Sequence, residues 1–358
     1  MKGLQISVWT SYINAELINF TSLLMCYFFL GLSFLLISKN VEDYDISILK
    51  NKVKFNIGFY ISISIALYFS IVGLNGDTII TSAYGSGDVH KTAAFEYSII
   101  FFLIAMLMSC NTTIHKIIIY IFAIYFSLKS FIYGGRIEVV QIAIVFAYIS
   151  KNLLIKENIL KIIIVVLFSY SIINFVGAIR SDPSIVKRVI ALDFPLTVKN
   201  TSYNTNVLIT NESDVTQATT RIIGMQQDGE ISTNYRIKSF ISYIFNLPLI
   251  VNQEYSNYQN LAIYKKNIYG SGGGGLIVGY FYVWLGIIGP IAVGMFIGLV
   301  TKWLYQTENI YKNVYALLVI ISFPRWFAYG PVTLVKFCLV GLLYLFVMKN
   351  IQYYLKLK

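Results

Sequence analysis

Residues 270–290 read GSGGGGLIVGYFYVWLGIIGP: a run of glycines that passes without a charge into an aromatic, apolar stretch. A nucleotide-binding P-loop places Lys and Ser/Thr after its last glycine, where the hydroxyl meets a metal-bound phosphate. Here those positions are Leu276 and Ile277. The stretch therefore reads as backbone entering an apolar phase, and the chain around it decides which phase that is.

Of the 358 residues, 57% are hydrophobic and 13% charged, against roughly 25% charged in soluble domains. The apolar residues fall in blocks of about 20, the length a helix needs to cross about 30 Å of hydrocarbon. The expected fold is an all-α polytopic membrane protein with about nine spans, in a range of about 8–11. They are placed at Leu17–Ile37, Phe55–Leu74, Ala93–Met108, Lys116–Tyr133, Arg136–Ser150, Lys161–Ala178, Leu276–Val300, Val314–Phe323 and Pro331–Met348. This divides the chain into a membrane bundle (1–178), a large loop (179–275) and a second set of spans with a basic tail (276–358). The first apolar block has no small-residue cleavage site after it and reads as a retained span. Cys26, Cys110 and Cys338 show no disulfide or metal spacing.

Lysine and arginine collect in short cytoplasmic loops. The best placement puts 39–54, the His115–Lys116 turn, 151–161, 302–312 and the C-terminal tail inside, hence the N-terminus outside. Every basic residue on the inner side is then a lysine, while Arg136, Arg180, Arg188, Arg221, Arg236 and Arg325 all fall outside. Lysine suffices as a point charge, whereas the guanidinium fork suits phosphate and carboxylate. The outer face is the one equipped for an anion.

The large loop is too long for an idle connection. In NYRIKSFISYIFN, Ile237, Phe240, Ile241, Ile244 and Phe245 keep helical spacing, and this segment reads as an amphipathic helix on the outer membrane surface, with Arg236 and Lys238 off its stripe. A second, weaker helix is expected at Ser184–Leu192, and Lys199–Gln217, rich in Thr, Ser and Asn, is expected to coil. The loop's near-balanced charge excludes a nucleic-acid patch. Its Asn- and Tyr-rich composition suits sugars.

Beyond the glycines, Gly275–Gly279 forms a small-xxx-small pair, and Gly286, Pro290, Gly294 and Gly298 recur every four residues, as in close helix packing. Consecutive glycine N–H groups at a helix start also form a ready anion site. YGGRIEVVQ (133–141) repeats that logic with Arg136 beside a two-glycine turn, where a cation opposes the helix dipole unless an anion offsets it. A third such place is FPRWFAYGPVTL (323–334), with Arg325 following Pro324.

These three stretches, set around one large outer loop, resemble the O-antigen and capsular repeat-unit polymerases of bacteria (the Wzy type), which are membrane glycosyltransferases. The resemblance implies a substrate of oligosaccharide units on undecaprenyl pyrophosphate in the bacterial cytoplasmic membrane. It implies no metal or other cofactor, with the lipid bilayer and a chain-length regulator as further partners and no nucleic acid. Carried onto this chain, the family's pyrophosphate-binding arginines fall on Arg136, Arg325 and Arg180, then on Arg221 and Arg236. Gly272, Gly273, Gly274 and Gly275 join them as the anion-facing turn. A base for the acceptor hydroxyl is open among Asp77, Asp88 and Glu138, with His90, Asp182 and Asp193 further away in rank. The large loop lacks the histidine that related ligases often carry, which favours polymerase over ligase. Two rivals stay open: a flippase or transporter of the same lipid-linked unit, and another polyprenyl-phosphate glycosyltransferase using Asp77 or Asp88. A membrane acyltransferase is weaker still, because His115 has no evident partner.

Overall fold

The computed structural model describes residues 15–36, 49, 52–76, 89–110, 112–132, 137–149, 211–245, 261, 274–306 and 309–356. The described residues are almost entirely helical. In chain order the helices are α1 (Ala15–Leu36), α2 (Asn56–Val72), α3 (Ala93–Met108), α4 (Thr113–Ile132), α5 (Ile137–Ile149), α6 (Asn211–Gln227) and α7 (Thr233–Ile244). They continue with α8 (Ile277–Leu285), α9 (Ile288–Gln306), α10 (Ile310–Ile321), α11 (Phe323–Ala328) and α12 (Val332–Lys356). The exception is one antiparallel pair, β1 (Leu74–Gly76) with β2 (Val89–Lys91), in which Asn75 faces His90.

Among the described residues, three helices are long and apolar enough to cross a bilayer: Glu16–Phe34, Thr113–Ser130 and Val332–Leu355. Four shorter apolar helices accompany them, over Asn56–Val72, Ala94–Met108, Ile288–Leu304 and Ile310–Ile321. The chain is a membrane protein. The span expected at Lys161–Ala178, and the weak helix at Ser184–Leu192, lie outside the described residues.

The chain divides into two compact units that cut across its linear order. One comprises Met1–Tyr44 and Tyr203–Leu343, the other Asp45–Ser202 and Tyr344–Lys358. In the first, α1 and α9 lie backbone to backbone. A side chain at Gly31 would strike the Ile291 carbonyl, and one at Gly294 would strike the Phe28 carbonyl. Small residues let helix backbones approach where lipid offers no hydrophobic drive to associate. Gly294 thus packs as its four-residue spacing suggests.

Gly286 does not. The expected single span Leu276–Val300 is broken there: Gly286 has φ 69° and ψ −153°, a conformation only glycine adopts without strain. The outcome is a nine-residue helix, α8, followed by a turn and α9. Ile287 and Ile288 at that turn are exposed, while seven of the nine residues of α8 are buried.

In the second unit, α2 pairs with α3, and Phe59 stacks on His115 at 3.8 Å between centroids. His115 Nδ1 accepts the Cys110 N–H at 3.0 Å. The end of α2 is closed by Lys129 of α4, whose Nζ donates to the Ser70 and Ile71 carbonyls at 2.8 and 3.1 Å. Those carbonyls have no intrahelical donor and carry the negative end of the helix dipole, so a cation belongs there. At the far end of the chain, Lys349 Nζ donates to the Lys52 carbonyl at 2.7 Å, and Gln352 Nε2 to that of Lys54 at 2.8 Å.

Candidate functional site

In the first unit the large loop supplies two helices, and both clamp α8. Helix α6 begins at Asn211, so the coil expected over Lys199–Gln217 is corrected for its last seven positions. Just beyond that stretch, threonine hydroxyls bond back to the helix. Thr219 Oγ1 donates to the Val215 carbonyl at 2.8 Å, and Thr220 Oγ1 to that of Gln217 at 2.8 Å.

Thr219 has a second task. Its Oγ1 accepts the Leu276 N–H at 2.7 Å, one of the N–H groups that the start of α8 cannot satisfy internally. The same side chain fills the notch at Gly279, where an added Cβ would lie 2.7 Å from Thr219 Cγ2. The Gly275–Gly279 pair is therefore a packing surface, as its spacing suggests. Its partner is the polar helix α6, with Ile222 also reaching Gly275.

The other end of α8 is held by α7. Ser232 starts this helix by accepting the Tyr235 N–H at 3.2 Å. Arg236 Nε then donates to the Val283 carbonyl at 2.6 Å, in the last turn of α8. A cation at that position complements the helix dipole and satisfies an orphan carbonyl. Trp284 Nε1 donates to Ser239 Oγ at 2.9 Å, and Tyr243 stacks on Trp284 at 4.7 Å. Helix α7 lies where its periodicity predicts, but with the serine face inward: Ser239, Ser242 and Tyr243 are buried, while Ile237, Ile241, Ile244 and Phe245 are exposed.

The glycine run meets the third motif stretch directly. A side chain at Gly274 would collide with the Cα and carbonyl of Tyr329, so only glycine permits this approach. Tyr329 is set by Arg325, whose carbonyl accepts the Tyr329 N–H at 2.9 Å and the Gly330 N–H at 3.2 Å. The Arg325 guanidinium lies over the Tyr329 ring at 5.4 Å. Helix α11 itself is pinned to α10: buried Trp326 donates its indole N–H to the Val319 carbonyl at 2.7 Å, and Ser322 Oγ donates to the Leu318 carbonyl at 2.7 Å. Beneath, the fully buried Tyr280 points its hydroxyl at Gly330, 3.5 Å from where a Cβ would stand. Gly274, Gly275, Tyr280, Arg325 and Tyr329 thus form one half-buried corner.

That corner takes two of the expected anion-facing positions, Gly274 and Gly275, and one arginine. Arg221 belongs elsewhere: two residues from Thr219 on α6, it points to a different face from the one contacting α8. Arg236 is engaged at Val283. Arg136, Arg180, Gly272, Gly273, Asp77 and Asp88 lie outside the described residues, as do Arg188, Asp182, Asp193 and the side chain of His90. Glu138 sits in the first turn of α5, in the second unit, and is 1% exposed. Among the described residues no group of three or more His, Cys, Asp or Glu could hold a metal ion. Tyr280 and Tyr329 lie within the two quoted stretches but carry no signal of their own there, and Thr219 lies outside every quoted stretch.

Comparison with protein-family models, with curated proteins and with solved structures finds no match for this chain.

Proposed function

We propose that this chain is a polymerase of polyprenyl-pyrophosphate-linked oligosaccharide units, acting at the outer face of a bacterial cytoplasmic membrane through about nine spans, with the N-terminus outside and the C-terminus inside. The observation that supports this reading most directly is the meeting of two motif stretches far apart in sequence. Gly274 packs on the Tyr329 backbone, and Arg325 covers the Tyr329 ring.

In the proposed reaction the anomeric carbon of the donor glycan loses its bond to the pyrophosphate oxygen and gains one to a hydroxyl of the acceptor unit. The hydroxyl proton passes to a base, and the electron pair leaves with the polyprenyl pyrophosphate. Negative charge grows on that leaving group in the transition state, so a guanidinium positioned beforehand lowers the barrier. Arg325 is held for this by the Trp326 anchor and the Tyr329 ring. Backbone N–H groups of the glycine run add donors without adding bulk. Arg136 is the second arginine assigned to pyrophosphate, and its contribution is tested separately.

The test is the surface polysaccharide of a deletion strain, resolved as a length ladder. The polymerase reading expects collapse to a single repeat unit, restored by the wild-type gene. Arg325→Lys, which keeps the charge and loses the planar fork, should slow polymerisation about 10²–10³-fold. Arg136→Ala reports on the second arginine in the same ladder. An unchanged ladder overturns the reading. Complete loss of surface glycan, with lipid-linked units trapped inside the cell, identifies a flippase instead.

A further inference from the structure

We infer that Arg236 is the headgroup anchor of an anionic phospholipid, whose acyl chains lie on the exposed apolar side chains of α7 and of the turn between α8 and α9. The inference stands on the first unit alone and does not rest on the polymerase reading. Helix α9 has 19 residues, about 28 Å at 1.5 Å per residue, and so crosses most of a hydrocarbon layer of about 30 Å by itself. The turn at Gly286 that precedes it therefore stands at an edge of that layer. Val283, within one helical turn of Gly286, lies at headgroup depth. Arg236 is fixed at this level by donating its Nε–H to the Val283 carbonyl at 2.6 Å.

A guanidinium has five N–H groups, and that bond uses one. Among the described residues the Val283 carbonyl is the only partner of this guanidinium, and Arg236 is half-buried. The N–H groups of both terminal amines are left, in a plane that the Nε bond has already set. The same two stretches of chain expose Ile237, Ile241 and Ile244 on α7, and Leu285, Ile287 and Ile288 at the turn. A cation held among side chains that belong in hydrocarbon calls for a counter-charge that arrives with acyl chains. A phosphate accepts two parallel N–H bonds from such a fork, and a phospholipid brings the phosphate and the chains together. An anionic headgroup leaves that charge uncancelled, whereas a zwitterionic one carries its own ammonium.

The full chain in neutral detergent is titrated with dioleoyl phosphatidylglycerol, and mass spectrometry of the intact protein counts the lipids retained. Dioleoylglycerol, inorganic phosphate and farnesyl pyrophosphate are run in parallel. The wild type should bind phosphatidylglycerol at least about tenfold more tightly than dioleoylglycerol, which has the same chains and no phosphate. Inorganic phosphate should not displace it. Arg236→Gln puts its amide Nε2 where the arginine has Nε, so it can keep the Val283 bond while losing the terminal amines and the charge. This variant should weaken phosphatidylglycerol binding at least about tenfold, with thermal unfolding in lipid-free detergent unchanged. If it folds poorly, Arg236→Lys takes its place: one ammonium cannot hold the carbonyl and also present a planar pair, and the same direction of loss is expected. Equal binding of the two lipids by the wild type, or of phosphatidylglycerol by wild type and variant, overturns the site. Displacement by farnesyl pyrophosphate at equal concentration gives the arginine to a polyprenyl carrier and overturns the phospholipid assignment. Displacement by inorganic phosphate shows an anion site without a lipid and overturns it too.

Discussion

The two helices that the large loop lays against α8 bury polar side chains in different company: α6 buries them beside Val215, Ile222 and Ile223, whereas α7 buries them while leaving its isoleucines exposed. Helix α6, NESDVTQATTRIIGMQQ, is the more polar of the two, yet Gln217, Thr219 and Thr220 are buried within it. Helix α7 exposes Ile237 at 54% and Ile241 at 47% while burying Ser239 and Ser242. In water the second arrangement would be inside out. Next to hydrocarbon it is sound, because lipid tails solvate isoleucine and only protein can satisfy a hydroxyl. Each helix therefore turns toward α8 the side chains that need a partner. Thr219 serves the first N–H of α8, and Arg236 serves a carbonyl of its last turn.

The contrast can be broken most severely at its tightest contact. Gly279→Leu drives a side chain into Thr219 and should destabilise the protein by about 3 kcal/mol. The readout is thermal exposure of buried Cys338 to a thiol-reactive dye. Removing only the hydroxyl, as in Thr219→Val, leaves the Leu276 N–H unmet and should cost about 2 kcal/mol by the same assay. On the other helix, Arg236→Met removes a cap and a dipole partner and should cost about 1 kcal/mol. The smallest effect belongs to the exposed face: Ile241→Ser should shift stability in detergent by less than about 0.5 kcal/mol. A large loss at Ile241 would show that this face packs on protein, and the comparison would fail.

How much of this was legible depended on the scale of the signal. Hydropathy blocks located α3 at Ala93–Met108 and brought α1, α2, α4 and α5 within a few residues of their bounds. A twenty-residue apolar run is decided by transfer free energy summed over many side chains, and it tolerates local error. The break inside the expected span Leu276–Val300 was not legible, because Gly286 looked like one more member of a four-residue glycine series. Whether such a glycine packs, as Gly294 does against Phe28, or turns to positive φ depends on what lies beside it.

The candidate site divides in the same way. Arg325 and the glycine run stood out by residue type, since a guanidinium after proline and consecutive unhindered N–H groups are unusual in apolar sequence. Tyr329, Tyr280 and Thr219 did not, because a tyrosine or threonine means something only through its neighbours. Arg236 shows the converse: by type an anion binder, it spends its Nε–H on the Val283 carbonyl.

Sequence alone determined that this is a membrane protein built from helices, which stretches are apolar enough to enter lipid, and where its arginines cluster along the chain. Those properties are additive over residues, and no neighbour can cancel them. Tertiary structure decided which glycines pack and which turn, which face of α7 meets protein, and which arginine remains beside the glycine run. Each of these is a competition between specific partners for one hydrogen bond or one ångström of clearance, and such competitions are settled only when distant segments of the chain come together.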